Sequence, residues 1–111
     1  MTTYTSFVDG TNLTDSATTY YTVTSRTTAI IKAATFCNDA SYPVTVTINI
    51  VPSGGTVGYA NRLIKTKTIG AGETWSCPDL INHNIQASGF ISMLASVTGV
   101  IGCRISGIEI V

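Results

Sequence analysis

The stretch Pro43-Val-Thr-Val-Thr-Ile-Asn-Ile-Val-Pro52 alternates apolar and polar side chains: Val44, Val46, Ile48 and Ile50 fall on one face, and Thr45, Thr47 and Asn49 on the other. A period of two is the spacing of a strand with one face in a core and the other in water. Branching at Cβ at nearly every position restricts χ1 in a way that a pleated surface tolerates and a helix does not. The two prolines stand outside the alternating run, where a missing N–H costs the sheet least. A strand of this kind needs partners, and the chain on both sides supplies them.

Upstream, Thr18-Thr-Tyr-Tyr-Thr-Val-Thr24 is aromatic and β-branched, the composition of a strand. Residues 27–38 carry enough alanine for a helix, but Thr27, Thr28, Ile30, Ile31 and Thr35 disfavour one. The turn chemistry of Asn38-Asp39-Ala40-Ser41 then predicts a strand that forms a hairpin with the Pro43 strand. Downstream, Ser53-Gly54-Gly55-Thr56-Val57-Gly58 is a surface loop and not a phosphate cradle, since no Gly-Lys-Ser/Thr follows and no helix opens. Arg62–Ile69 reads as a strand with Lys65 and Lys67 on the face of Leu63 and Ile69, the pattern of a lysine-guarded sheet edge. Glu73–Cys77, with Trp75 and Cys77 on one face, reads as a short strand. Residues 80–87 read as another, with the single histidine, His83, on the face of Ile81 and Ile85. Phe90–Val97 and Val100–Val111 follow as strands around a Thr98-Gly99 hairpin turn, and Gly102 and Gly107 mark a bulge or a close backbone approach. About eight strands between turn clusters predict an all-β chain, a single antiparallel β-sandwich of jelly-roll type over residues 18–111, with an immunoglobulin-like sandwich as the alternative.

Residues 1–17 are polar, turn-rich and without a sustained period, and read as an extended N-terminal arm. Its apolar Phe7, Val8 and Leu13 give it something to dock with, on a neighbouring subunit in particular. With Tyr20, Tyr21 and Trp75 they are the candidate interface residues.

Composition narrows the function. Six Lys and Arg balance six Asp and Glu, only 11% of the 111 residues are charged, and 44% are hydrophobic. No basic excess recruits nucleic acid, and no segment approaches the roughly 20 apolar residues of a membrane helix. The opening Met1-Thr-Thr-Tyr-Thr5 has neither a basic nor an apolar signal region, so synthesis in the cytoplasm is expected. A neutral, threonine-rich surface provides little colloidal repulsion and suits protein contacts, with other copies of the chain first among them and a trimer as the expected form. The single histidine and the scattered carboxylates Asp9, Asp15, Asp39, Glu73, Asp79 and Glu109 make no catalytic motif, so neither enzymatic activity nor a cofactor, metal or small-molecule ligand is expected. Cys37, Cys77 and Cys103 are odd in number and widely spaced; they read as reduced core thiols, with an intersubunit or intrachain disulfide as the other reading.

Several phrases of the sequence resemble those of small tailed-bacteriophage virion structural proteins: Ala17-Thr-Thr-Tyr-Tyr-Thr22, Ile30-Ile-Lys-Ala-Ala-Thr35, Val44-Thr-Val-Thr47 and Val51-Pro-Ser-Gly-Gly55, then Ile69-Gly-Ala-Gly-Glu-Thr74, Cys77-Pro-Asp-Leu80 and Ser106-Gly-Ile-Glu-Ile110. The resemblance covers residues 17–111 and implies a virion location, as a head decoration, head-fibre or tail-associated protein bound to phage capsid or tail proteins. It carries over no functional residues. The competing expectation is a carbohydrate- or receptor-binding sandwich of a fibre or spike, stacking a glycan on Tyr20, Tyr21, Tyr59 or Trp75.

Overall fold

Most of the segments read as strands are realised as sheet. The computed structural model describes residues 2–111, so Met1 of the expected arm lies outside it. Its strands are β1 Thr2–Asn12, β2 Thr18–Thr22, β3 Thr28–Asn38, β4 Val44–Val51, β5 Arg62–Ile69, β6 Thr74–Ser76, β7 Asn84–Ile85, β8 Phe90–Ala95 and β9 Ile101–Ile110. One sheet runs β1-β9-β3-β6, with β7 also on β3; the other runs β2-β8-β4-β5. Antiparallel pairing of β1 with β9, β2 with β8, β3 with β6 and β4 with β5 is that of one long hairpin whose tip lies between β4 and β5. Rolling this ribbon brings β9 beside β3 and β8 beside β4, which is the jelly roll. Leu13, Ile31, Phe36, Val46, Ile48, Ile91, Met93 and Ile105 fill the space between the sheets, each at most 1% exposed.

The roll overturns both expected hairpins. β3 and β4 lie in different sheets, as do β8 and β9, so the Asn38 and Thr98-Gly99 turns carry the chain across the core. Alternation shows that a strand has a buried face; two such strands in succession satisfy it equally by pairing side by side or by facing each other. Asn38 secures the first crossing from a fully buried position, its amide donating to the carbonyls of Tyr42, Ile69 and Gly70 while its oxygen accepts from Ala40 N–H.

The central strand also departs from strict alternation. Thr47 and Asn49, expected in water, are buried. Asn49 donates to Gly58 O and Asn61 Oδ1, so the loop after Pro52 folds back over this face. Thr66, at φ 48°, turns its N–H onto Thr47 Oγ1 and shifts the register of β5, so that Ile64, and not Leu63, pairs with the core residue Ile48. β5 nonetheless forms an edge with Lys65 and Lys67 exposed. Residues 80–87 yield little strand: Pro78–Leu80 is a 3-10 turn and Asn82 is left-handed at φ 69°, so His83 is exposed and does not share a face with buried Ile85.

Candidate assembly surface

Eleven residues at the start of the chain form an edge strand, paired on one side with β9. Between the pairs Ser6–Ser106 and Val8–Ile105 the register slips, leaving Phe7 as an extra residue. The bulge turns two consecutive side chains, Phe7 and Val8, into the core. The ring of Phe7 stacks on Tyr21 of β2, with centroids 4.3 Å apart and 14° between planes. Beneath it lies Gly107, where a Cβ would stand 2.0 Å from the Ile30 carbonyl oxygen and 2.9 Å from Cε2 of Phe7. The glycine expected to allow a close approach is therefore Gly107, whereas a Cβ at Gly102 would find its nearest atom at 3.8 Å.

The Tyr21 hydroxyl donates to Glu109 Oε2 and ties the two sheets together at this end. Burial first, then the hydrogen bond to Glu109 and that carboxylate's charge, push the Tyr21 hydroxyl well above its usual pKa. A second slip, between Asp9 and Thr11, leaves Gly10 unpaired at φ 73°. Beyond it the chain is clamped to the body: Leu13 N–H donates to Ile101 O, Leu13 O accepts from Gly99 N–H, and Thr14 N–H donates to the Tyr20 hydroxyl. On the outer face Arg104 pairs with Asp9 at 3.0 Å, with both side chains largely in water. Tyr4, 84% exposed, lines a hollow of about 380 Å³ together with Thr5, Ser6, Lys32, Ser106 and Gly107.

The expected interface residues occupy these places. Phe7, Val8 and Leu13 are buried within their own chain, and Tyr20, Tyr21 and Trp75 are half-buried against the core. Trp75 packs on Phe36 at 5.6 Å and carries the Lys67 ammonium 5.3 Å from its ring. Tyr59 is exposed, its ring covered on one side by the Arg62 guanidinium at 5.0 Å. Of the four aromatics of the glycan reading, Tyr59 is exposed, whereas Tyr20, Tyr21 and Trp75 are half-buried. For Tyr4, Gly10 and Glu109 the sequence carries no interface signal beyond the presence of a tyrosine in the arm.

The three thiols are free. Cys103 on β9 and Cys77, just past the end of β6, are both buried and lie on opposite sides of β3. Two sheet spacings of about 4.8 Å put their backbones beyond the roughly 7 Å limit of a disulfide. Burial raises both, Cys103 to about 12, with the neighbouring Cys77 adding to the effect. Cys37 is half-buried and its Sγ lies 3.9 Å from Asp39 Oδ1, on the opposite face from Cys103. Among the described residues no group of three His, Cys, Asp or Glu side chains is placed to hold a metal ion.

No protein-family model matches the chain, and no curated protein matches it in sequence. Its fold is shared with a Bacillus endospore appendage protein. That protein is described as one of a family of disulfide-linked pili; the two chains are 16% identical and superpose with a TM-score of 0.54 over 97% of this chain and 86% of the other. The likeness extends through β1, because nearly the whole chain is covered.

Proposed function

We propose that this chain is a non-enzymatic structural subunit that assembles with copies of itself. The observation that carries the reading is the β1 edge. An edge strand offers unpaired N–H and C=O groups to any strand that approaches, and proteins that stay apart guard such edges with lysine, proline or a cover. β1 has eleven residues, one charge, Asp9, and neither lysine nor proline. The charge-poor surface supports the same reading, since few ions are desolvated when copies meet.

The appendage protein of like fold supports a filament, and the resemblance of sequence phrases to those of phage virion proteins supports a capsid or tail as the body that is built. In either body the linkage is non-covalent. Cys37 alone reaches the surface, and one thiol per chain joins at most two copies. The test is light scattering on a size-exclusion column over a range of concentrations, with and without reductant. A discrete or growing oligomer unchanged by reductant is expected, and Tyr4→Lys with Ser6→Lys, both at exposed positions of β1, should lower its mass at least twofold. A monomer at every concentration overturns the proposal.

A further inference from the structure

Resting on that self-association, we infer that β1 is exchanged between copies: in the assembly, the slot between β9 and β2 takes residues 2–9 of a second copy. The slot belongs to the body. Gly107 provides its floor, Tyr21 one wall and Ile105 the pairing partner of Val8, and all three lie beyond residue 17 in sequence. What residues 2–9 bring to it is Phe7 and Val8; the remaining six side chains are exposed or half-buried. The segment is in effect a short peptide with two apolar anchors, and its slot is the same whichever chain supplies the ring.

A pivot stands where exchange needs one. Gly10 is unpaired, left-handed at φ 73°, and has no atom within 4 Å of where a Cβ would stand, so its backbone can change direction without disturbing a neighbour. Three residues later the Leu13 backbone bonds hold the chain to the body, and Asp15 N–H adds a bond to Thr98 Oγ1. The body therefore stays folded while the arm swings. Eight residues at about 3.4 Å each reach about 27 Å, which matches the 27 Å intermediate dimension of the molecule. An arm swung outward thus spans to the slot of a copy in contact. Exchange preserves every hydrogen bond of the β1–β9 ladder and every contact of Phe7, so its cost is confined to the pivot and to the entropy of association. It also joins copies without a covalent bond, which assembly beyond a pair requires of a chain with one accessible thiol.

Ser6 and Ser106 are register partners on the outer face and both exposed, at the Cα separation of about 4.5–5.5 Å that a disulfide accepts. The experiment uses the full chain with Cys37→Ser, Ser6→Cys and Ser106→Cys, oxidised as assembled in solution and run on a denaturing gel without reductant. Exchange predicts a doubled mass or a ladder that reductant collapses and that neither chain with only one of the two added cysteines forms, the buried Cys77 and Cys103 being common to all three. A band of monomer mass with its thiols consumed, from a sample that light scattering shows to be oligomeric, overturns exchange and leaves self-association standing. A monomer by light scattering overturns both. Asp9→Cys with Arg104→Cys, the register pair three residues along β1, repeats the test should the first pair perturb the bulge.

Discussion

The two sheets end on edges of opposite character. β5 closes one sheet with Lys65 and Lys67 in solvent and a left-handed Thr66 between them, so an approaching strand meets charge and a kink. β1 closes the other with threonines, serine, tyrosine and one ion pair, and it is fixed from within, by Phe7 and Val8 pressed into the core. A guarded edge spends its side chains on repulsion and an anchored edge spends them on attachment. Under the proposed self-association, the unguarded β1 edge is the one expected to meet another copy, and the lysine-bearing β5 edge the one expected to stay clear of it.

The largest effect is expected at the floor of the anchor. In Gly107→Ala the new methyl meets a backbone carbonyl oxygen at 2.0 Å, which no rotamer relieves, so β9 or β3 must move. A loss of about 3 kcal/mol or more in urea denaturation is expected, whereas Gly102→Ala, whose methyl would make only an ordinary contact with Asn12 Oδ1 at 3.8 Å, should stay within about 0.5 kcal/mol. Equal losses at the two glycines would remove the special standing given to the Phe7 slot. Phe7→Ala comes next, at about 3 kcal/mol for a buried ring. Because the ring anchors a terminal strand, limited proteolysis should cut residues 2–9 of this variant first and leave the body whole. Cleavage spread evenly over the chain would mean that β1 is no more separable than any other strand.

Most of the sandwich is legible in the sequence because most of its strands obey a simple period. β3, β4, β8 and β9 show alternating or β-branched runs between turn residues, and the guarded edge at β5 is announced by its lysines. β1 is not legible as a strand for a stated reason: its bulges at Phe7 and Gly10 break the period twice in eleven residues. The same bulge places Phe7 and Val8 in one core, a placement that adjacent residues in a regular strand never share. Long-range partners are equally hidden. Nothing local to Gly107 shows that Ile30 lies against it, and nothing local to Thr47 or Asn49 shows that the loop at 52–61 will cover them. Nor does the turn at Thr98-Gly99 reveal whether it closes a hairpin or crosses the core.

A smaller effect tests the tie above the anchor. Tyr21 is neutral in the folded chain at pH values where an ordinary tyrosine, with a pKa of 10.0, has begun to ionise. The unfolded chain therefore binds fewer protons than the folded one above that value, and stability falls as pH rises through it. Below it the contribution is complete and independent of pH. The urea midpoint should thus drop between about pH 9 and pH 11, and Tyr21→Phe should lessen the drop while costing about 1 kcal/mol at neutral pH for the lost hydrogen bond. The buried thiols of Cys77 and Cys103, raised from 9.0, leave a remaining slope in that variant. A variant with the full slope of the natural chain would show that the hydroxyl is as free to ionise when folded as when unfolded.

The last effect is the smallest in stability and bears most directly on the two edges. Lys65→Thr removes a charge from an exposed position of β5 and should change the denaturation midpoint by no more than about 0.5 kcal/mol. Lys67→Thr also removes the ammonium over Trp75, a contact of about 0.5–1 kcal/mol. Neither substitution touches β1, the Phe7 slot or the pivot at Gly10. If the lysines keep the second edge out of the assembly, the double variant should fold normally and acquire a second mode of contact, seen in light scattering as a mass that rises past the natural oligomer with concentration. An oligomer of unchanged mass would mean that the kink at Thr66 already closes this edge without charge. The contrast between the edges would then rest on backbone shape, with β5 protected by its left-handed residue and β1 left open despite two bulges.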